Sequence, residues 1–350
     1  MEKIKVGILG ATGAVGQRFI QLLENHPWFQ ITELVASETS AGLPYQKICQ
    51  WKLNRPIPED ARHLVVKNIT SELACQILFS GLDATVATDI EMNYAKAGFP
   101  VISNARNFRL EKDVPLLIPE VNPDHLQLIK KQKANRQFST GFIVTNPNCA
   151  TVPLAMMLAP LHKKYGVEKV VVTTMQAISG AGYPGLPSLD ILDNVIPFIN
   201  GEEEKIESET KKILGELVKG EIVFAQFDVS AMVHRVPVFD GHLLSVSIKL
   251  KKKGEISEIK NVLASFGSVP QKLNLPSAPK NPIIVKNEND RPQIRLDRDA
   301  GNGMSIVVGR IRPCPVFDVK MSVLGHNTIR GAAGAAILNA ELLKMSGFFS

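Results

Sequence analysis

The residues Ile4-Lys-Val-Gly-Ile-Leu9 form a short apolar run that leads into Gly10-Ala-Thr-Gly13-Ala-Val-Gly16, after which Val15, Phe19, Leu22 and Leu23 recur at helical spacing. A strand that turns through glycines into a helix leaves few architectures open, chiefly a parallel sheet wrapped by helices. Glycines permit the tight turn and let backbone N–H groups at the positive end of the helix approach a pyrophosphate. The spacing is a variant of the dinucleotide fingerprint, so Gly10, Thr12, Gly13, Ala14, Val15 and Gly16 are candidate cofactor contacts. The alternative is a glycine-rich turn with no ligand. About 20 residues on, NAD-binding chains place an acidic side chain for the ribose. Here the second strand ends in Ser37-Glu38-Thr39-Ser40. Hydroxyls from Ser37 and Ser40 suit a 2′-phosphate, whereas Glu38 is an acidic residue of the kind that serves an NAD ribose and no arginine is adjacent; NADP is the favoured cofactor.

The following pattern extends the parallel sheet. Apolar runs without polar alternation recur at Ile31 to Ala36, Gln76 to Phe79, Pro100 to Ile102, Leu116 to Ile118 and Phe142 to Val144. Helix-like stretches such as Asp89 to Ala97 and Asp124 to Lys131 separate some of them. After about residue 150 the period changes. Leu244, Val246, Ile248 and Leu250 alternate with polar residues, as do Phe317, Val319, Met321 and Val323, which predicts strands with one wet face in a mainly antiparallel sheet. Asn327 to Met345 reads as a long terminal helix. The expected fold is therefore α/β, a Rossmann-type doubly wound sheet followed by an α+β domain. The expected division is 1–149 plus 327–350 for the dinucleotide-binding domain and 150–326 for catalysis and dimerisation. A chain of 350 residues has room for two such units.

The strongest chemical candidate lies at the junction. Thr145-Asn-Pro-Asn-Cys149-Ala-Thr leaves a strand and enters a helix carrying Leu154, Met157 and Leu158. A thiol at a helix N-terminus is expected to ionise more readily, and the same N–H groups can receive an oxyanion. A buried inert cysteine is the alternative, and it is the reading taken for Cys49, Cys75 and Cys314. His242, after Asp240-Gly241 at the start of an alternating strand, is the best-placed partner. His234, His326 and His125 are less well framed, and His26 and His162 read as surface residues at helix ends. No cysteine or histidine pair stands at metal-ligand spacing, so no metal is expected.

Three segments carry a resemblance: Asn146-Pro-Asn-Cys149-Ala-Thr, Gln176 in Met-Gln-Ala-Ile-Ser-Gly-Ala-Gly-Tyr-Pro-Gly, and Arg235-Val-Pro-Val-Phe-Asp-Gly-His242. Together, in this order, they resemble the aspartate-semialdehyde dehydrogenases of the archaeal and fungal branch, and the likeness spans the whole chain. The resemblance implies NADPH-dependent reductive dephosphorylation of L-aspartyl 4-phosphate to aspartate 4-semialdehyde, and the reverse, in biosynthesis of lysine, threonine and methionine. It implies that Cys149 forms a thioester, His242 acts as acid/base, Asn148 helps cradle an oxyanion and Gln176 orients the acyl group. It further implies that Arg235 grips the substrate carboxylate. Glu209-Thr-Lys-Lys212 is matched to the family's Glu-x-x-Lys, with Glu209 facing the substrate amino group and Lys212 the phosphate, and Arg109 becomes a second phosphate ligand. Asn327 is matched to the nicotinamide contact, and Ser179 and Gly180 join the cofactor set. A homodimer or homotetramer is expected.

A malonyl-CoA or succinyl-CoA reductase of the same superfamily is the nearer rival, and it should lack the full aspartate-recognition set. A non-catalytic dinucleotide-binding sensor is the rival of another class, and it predicts a Cys149 no more reactive than Cys314. Forty basic against 34 acidic residues give a net charge of +6, which suits anionic small molecules. No basic block interleaved with aromatics points to nucleic acid, and no apolar run reaches the ~18 residues of a membrane span. Four scattered cysteines with no CxxC fit a reducing compartment, so a cytoplasmic enzyme is expected.

Overall fold

The computed structural model describes residues 2–70 and 72–349. Five strands, β1 (Ile4–Leu9), β2 (Phe29–Val35), β3 (Ile77–Ser80), β4 (Pro100–Ser103) and β5 (Phe142–Thr145), form a wholly parallel sheet in the order β2-β1-β3-β4-β5. Every residue of β3, β4 and β5 is buried, which is why these segments show no polar alternation. On one face, Phe19, Ile20 and Leu23 of helix α1 (Ala14–Leu23) and Ile337 and Leu338 of the terminal helix join Val6, Ile8 and Phe79 in one core. Tyr94 and Ala95, from the helix Ala84–Lys96, pack with Leu9, Leu78, Val101 and Ile143 in another.

The second half contains β6 (Val167–Gln176), a small hairpin of β7 (Glu216–Val218) and β8 (Glu221–Val223), then β9 (Asp228–Arg235), β10 (His242–Leu250), β11 (Ile283–Val285), β12 (Ile306–Pro313) and β13 (Val319–Gly325). All but the hairpin form a six-stranded sheet in the order β11-β12-β13-β10-β6-β9. This sheet is mixed: β10 runs antiparallel to β6 and β13, and β12 to β13, whereas β6–β9 and β11–β12 are parallel. The helix Thr151–Tyr165 covers one face, burying Leu154, Met157, Leu158 and Leu161 against Val170, Val172, Leu244 and Val246. The opposite face remains open, with Val171, Met232 and Ser245 exposed.

Several elements differ from the sequence expectation. Leu116 to Ile118 is no strand; Leu116 makes one isolated bridge to Thr145, because Asn122 takes the neighbouring main chain by accepting from Ile118 N–H and donating to Leu116 O. Asp124 to Lys131 is split into a 3₁₀ turn, Pro123–Gln127, and the helix Leu128–Arg136. The terminal helix begins as a π-helical turn, Ile329–Ala333, before the α-helix Gly334–Met345. His26 is buried, not a surface residue: its Nε2 pairs with Glu341 Oε1 at 2.9 Å, and its Nδ1 accepts from the N–H groups of Trp28 and Phe29.

The glycine turn shows why it must be glycine. Gly10 adopts φ +74°, and a Cβ on Gly16 would lie 2.2 Å from Gly10 O, so only glycine lets α1 approach the end of β1 this closely. Gly16→Ala is therefore expected to destabilise the protein by about 1–3 kcal/mol through overpacking and to weaken dinucleotide binding. Thermal unfolding and NADPH fluorescence titration check this; unchanged values in both would contradict it.

Candidate active site

The carboxyl ends of the parallel strands open into a cleft of about 740 Å³ that runs from the glycine turn to Cys149. Gly10, Thr12, Gly13, Ala14, Val15 and Ser37 line one end, and Asn148, Cys149, Ser179, Gly180 and Asn327 line it elsewhere. The donor set fits a dinucleotide. The N-terminus of α1 has no side-chain cap and no acidic residue in its first turn, which leaves its N–H groups for a diphosphate. Gly16 does not line the cleft; its contribution is the close helix packing described above. Ser40 lies outside the lining as well, whereas the Ser37 hydroxyl reaches Thr39 Oγ1 at 2.9 Å.

On the cleft wall, Cys149 Sγ lies 3.1 Å from His242 Nε2, across 93 positions of sequence. The register of β10 on β6, with Leu243 opposite Met175, brings His242 beside the end of β6. There the Ala177 N–H donates to His242 Nδ1 at 3.1 Å. An acceptor Nδ1 assigns the proton of the neutral ring to Nε2, so an N–H faces the sulfur. Burial drives the imidazole pKa down to about 3, and Arg235 pushes in the same direction. Ala177 O in turn accepts from Arg235 Nη1 at 2.7 Å.

The thiol differs from the sequence expectation. Burial pushes its pKa up to about 12, with the Glu202 carboxylate adding to the rise and Arg235, Arg109 and Lys205 opposing it. The helix start gives less help than predicted because Asn148 Oδ1 already accepts from the N–H groups of Ala150 and Thr151, at 2.9 and 3.2 Å. Behind the cysteine, a Cβ on Gly331 would meet Cys149 Cβ at 2.7 Å, so the π-helical turn is packed directly against the nucleophile.

Glu202 is the hub that sequence reasoning missed. It opens the helix Glu202–Ile213, accepts from Asn148 Nδ2 at 2.8 Å and Gln176 Nε2 at 3.3 Å, and is paired with Lys205. Burial opposes its ionisation, but Lys205, Asn148 and Gln176 outweigh that and hold its pKa below the ordinary value. Glu202 and Lys205 both line the cleft. Glu209 and Lys212, the pair expected at the substrate, do not line the cleft. Glu209 is 1% exposed, with one oxygen on Arg109 Nη1 at 3.0 Å and the other on Asn148 N–H at 2.6 Å. Lys212 is 1% exposed and spends its ammonium on the carbonyls of Arg109, Glu111 and Val114, at 2.7, 2.7 and 2.9 Å. Lys212 thus has all three N–H groups engaged, whereas each Glu209 oxygen accepts a single hydrogen bond and keeps a lone pair. Arg109 does line the cleft, but its guanidinium is also held by Asn104 O at 2.7 Å. The Asn148 amide, expected at an oxyanion, is engaged by Glu202. Asn327, besides lining the cleft, accepts from Gly241 N–H and donates to Ser179 Oγ, both at 2.8 Å.

A dinucleotide-type cleft that ends on a cysteine–histidine pair is the architecture of a nicotinamide-dependent oxidoreductase. Two family models match the chain: the NAD-binding domain of semialdehyde dehydrogenases over residues 5–129, and their dimerisation domain over residues 158–330. The aspartate-semialdehyde dehydrogenase of Methanothermobacter thermautotrophicus is 51% identical, covering 97% of this chain and 99% of its own. That of Archaeoglobus fulgidus is 52% identical over 97% of this chain and 98% of its own. The crystal structure of the Candida albicans aspartate-semialdehyde dehydrogenase with NADP superimposes with a TM-score of 0.91 at 45% identity, covering 99% of this chain and all (100%) of that one. The chain belongs to the aspartate-semialdehyde dehydrogenase family.

A thiol with a raised pKa is neutral below it and gains thiolate tenfold per pH unit, so alkylation of Cys149 in the ligand-free protein should keep rising from about pH 7 to pH 10. Iodoacetamide labelling with mass spectrometry checks this, and a plateau below about pH 8 would contradict it.

Proposed function

We propose that the protein catalyses its family's reaction, the NADPH-dependent conversion of L-aspartyl 4-phosphate to aspartate 4-semialdehyde and its reverse, with Cys149 as the covalent nucleophile. The carrying observation is the 3.1 Å approach of Cys149 Sγ to His242 Nε2 at the end of a cleft that begins at a glycine turn. The sulfur bonds to the acyl carbon as the bond from that carbon to the phosphate oxygen breaks, and the thiol proton ends on the departing phosphate. Bound in the cleft, NADPH supplies the hydride that reduces the thioester carbon. Breaking the carbon–sulfur bond then returns the electron pair to Cys149 and frees the aldehyde, and a proton taken up from solvent restores the thiol. Throughout, His242 presents its Nε2–H to the charge on sulfur or on the adjacent oxygen. In this tautomer it donates; accepting the thiol proton would require it to give up Ala177 N–H.

Substrate recognition draws on the charges that line the cleft, Glu202, Lys205 and Arg109, and on Arg235, which is buried outside the lining. Arg235, whose planar fork suits a carboxylate, takes the substrate carboxylate. Glu202 takes the amino group, and Lys205 with Arg109 takes the phosphate, the roles expected from sequence for Glu209 and Lys212. Gln176 and Asn148, both tethered to Glu202, orient the acyl group.

A homo-oligomer assembled through the open face of the six-stranded sheet accompanies this reading. Its support is the exposure there of Val171 and Met232, and of Leu189, Leu192 and Phe198 in the segment after β6, since clustered exposed apolar side chains mark interaction surfaces. A cytoplasmic location is part of the same proposal, supported by four free cysteines. Among the described residues no helix is long and apolar enough to cross a membrane.

Cys149→Ala should abolish turnover with NADP binding intact, and His242→Asn should lower kcat by roughly 10²–10⁴-fold. Phosphate-dependent oxidation of aspartate semialdehyde, run beside CoA-dependent reduction of malonyl-CoA, reads both; normal turnover of Cys149→Ala would refute the covalent route. Lys205→Met should raise KM for phosphate more than roughly tenfold with little change in Tm, whereas Lys212→Met should chiefly lower Tm by stranding three carbonyls. The opposite pattern would return the phosphate to Lys212.

A further inference from the structure

The corner Asp240-Gly241-His242 that aims the imidazole is tied down from three separate parts of the chain. Asn327 Oδ1 accepts from Gly241 N–H at 2.8 Å, and Arg298 Nη1 donates to Asp240 O at 3.0 Å. The third tie crosses 222 positions: Arg18 Nη2 donates to Asp240 Oδ2 at 3.4 Å. Arg18 is one turn beyond Ala14 on α1, the helix that opens at the glycine turn. The corner has no slack, since Gly241 adopts φ +101° and a Cβ there would meet Ile294 Cγ2 at 2.8 Å.

The Arg18–Asp240 pair is placed where a charge is costly. The two side chains are 11% and 9% exposed, and Arg18 Nε and Asp240 Oδ1 are buried with no hydrogen-bond partner. A buried pair that leaves orphaned atoms contributes little net stability, since desolvation offsets most of the attraction. Its geometry is the informative part: it joins the cofactor-side helix to the side chain of the residue two positions before His242.

We propose that Arg18 is a positioning residue for the reaction, holding Asp240 so that the glycine-turn helix fixes where His242 Nε2 stands relative to Cys149. The proposal rests on the reading that His242 acts at the sulfur. Small displacements of such a group cost rate more than binding, because near-attack geometry is lost while the cofactor contacts remain.

Arg18→Met alone strands a buried carboxylate and is expected to lower Tm, so the deciding variant is the double substitution Arg18→Met with Asp240→Asn, which removes both charges. The double variant is expected to hold Tm near that of the parent and NADP affinity within about twofold, while kcat falls roughly tenfold to a hundredfold. Arg18→Lys, which keeps the charge but not the fork, should restore part of the rate. A double variant with the parent's kcat would overturn the proposal, and so would a loss of NADP affinity as large as the loss of kcat, because Arg18 would then act through the cofactor. His242→Asn, assayed alongside, separates the two claims. If it turns over normally, the reading of His242 has failed; if it is impaired while the double variant is not, only the role of Arg18 has failed.

Discussion

The main chain of one residue, Ala177, sets the chemistry of the cleft. Its N–H occupies His242 Nδ1 and its carbonyl holds Arg235, so the two side chains that flank the sulfur are aimed by the same few atoms. With Nδ1 engaged as an acceptor, a charged imidazolium would force two N–H groups together, which agrees with the strongly lowered basicity that burial imposes. The arrangement depends on the pairing of β10 with β6. A one-residue slip would turn His242 to the opposite face of the sheet and leave Cys149 without a partner.

The nucleophile belongs to the other half of the problem. Cys149 follows β5 of the parallel sheet, His242 opens β10 of the mixed sheet, and the seam between them is held by polar groups in an apolar setting. Arg330 Nη2 meets Glu120 Oε2 at 2.5 Å with both residues almost fully buried, on the π-helical turn whose Gly331 touches Cys149. Asn146, three residues before the cysteine, donates to Ala332 O on the same turn. Such pairs are poor sources of net stability, but removing one partner costs about 3–5 kcal/mol, so they make one packing of the seam far better than its neighbours. The terminal segment therefore serves the site although most of its length serves the core of the parallel sheet.

Much of this was legible in the chain. The glycine turn, the fully apolar strands and the alternation in β10 each leave a local signature, and Cys149 and His242 could be paired because each opens or follows a readable element. The substrate helix could not be resolved. Glu202, Lys205, Glu209 and Lys212 all lie on one face of a single helix, two turns apart as pairs, so the Glu-x-x-Lys spacing occurs twice and cannot say which pair reaches the cleft. Only the packing of that helix decides, burying Glu209 and Lys212 under Arg109 and the 109–114 main chain. The acidity of Cys149 was illegible for a similar reason: a helix start is local, but the burial, the Glu202 charge and the cap from Asn148 that oppose it come from three dimensions. His26 escaped because its partner, Glu341, lies 315 positions away.

The central claim is that His242 rests as a neutral ring with its proton on Nε2, facing the sulfur. Nitrogen NMR of the histidine-labelled, ligand-free protein at neutral pH reads this directly, with His242→Asn used to assign the signal. The account predicts an unprotonated Nδ1 and a protonated Nε2; a proton on Nδ1, or protons on both nitrogens, would contradict it.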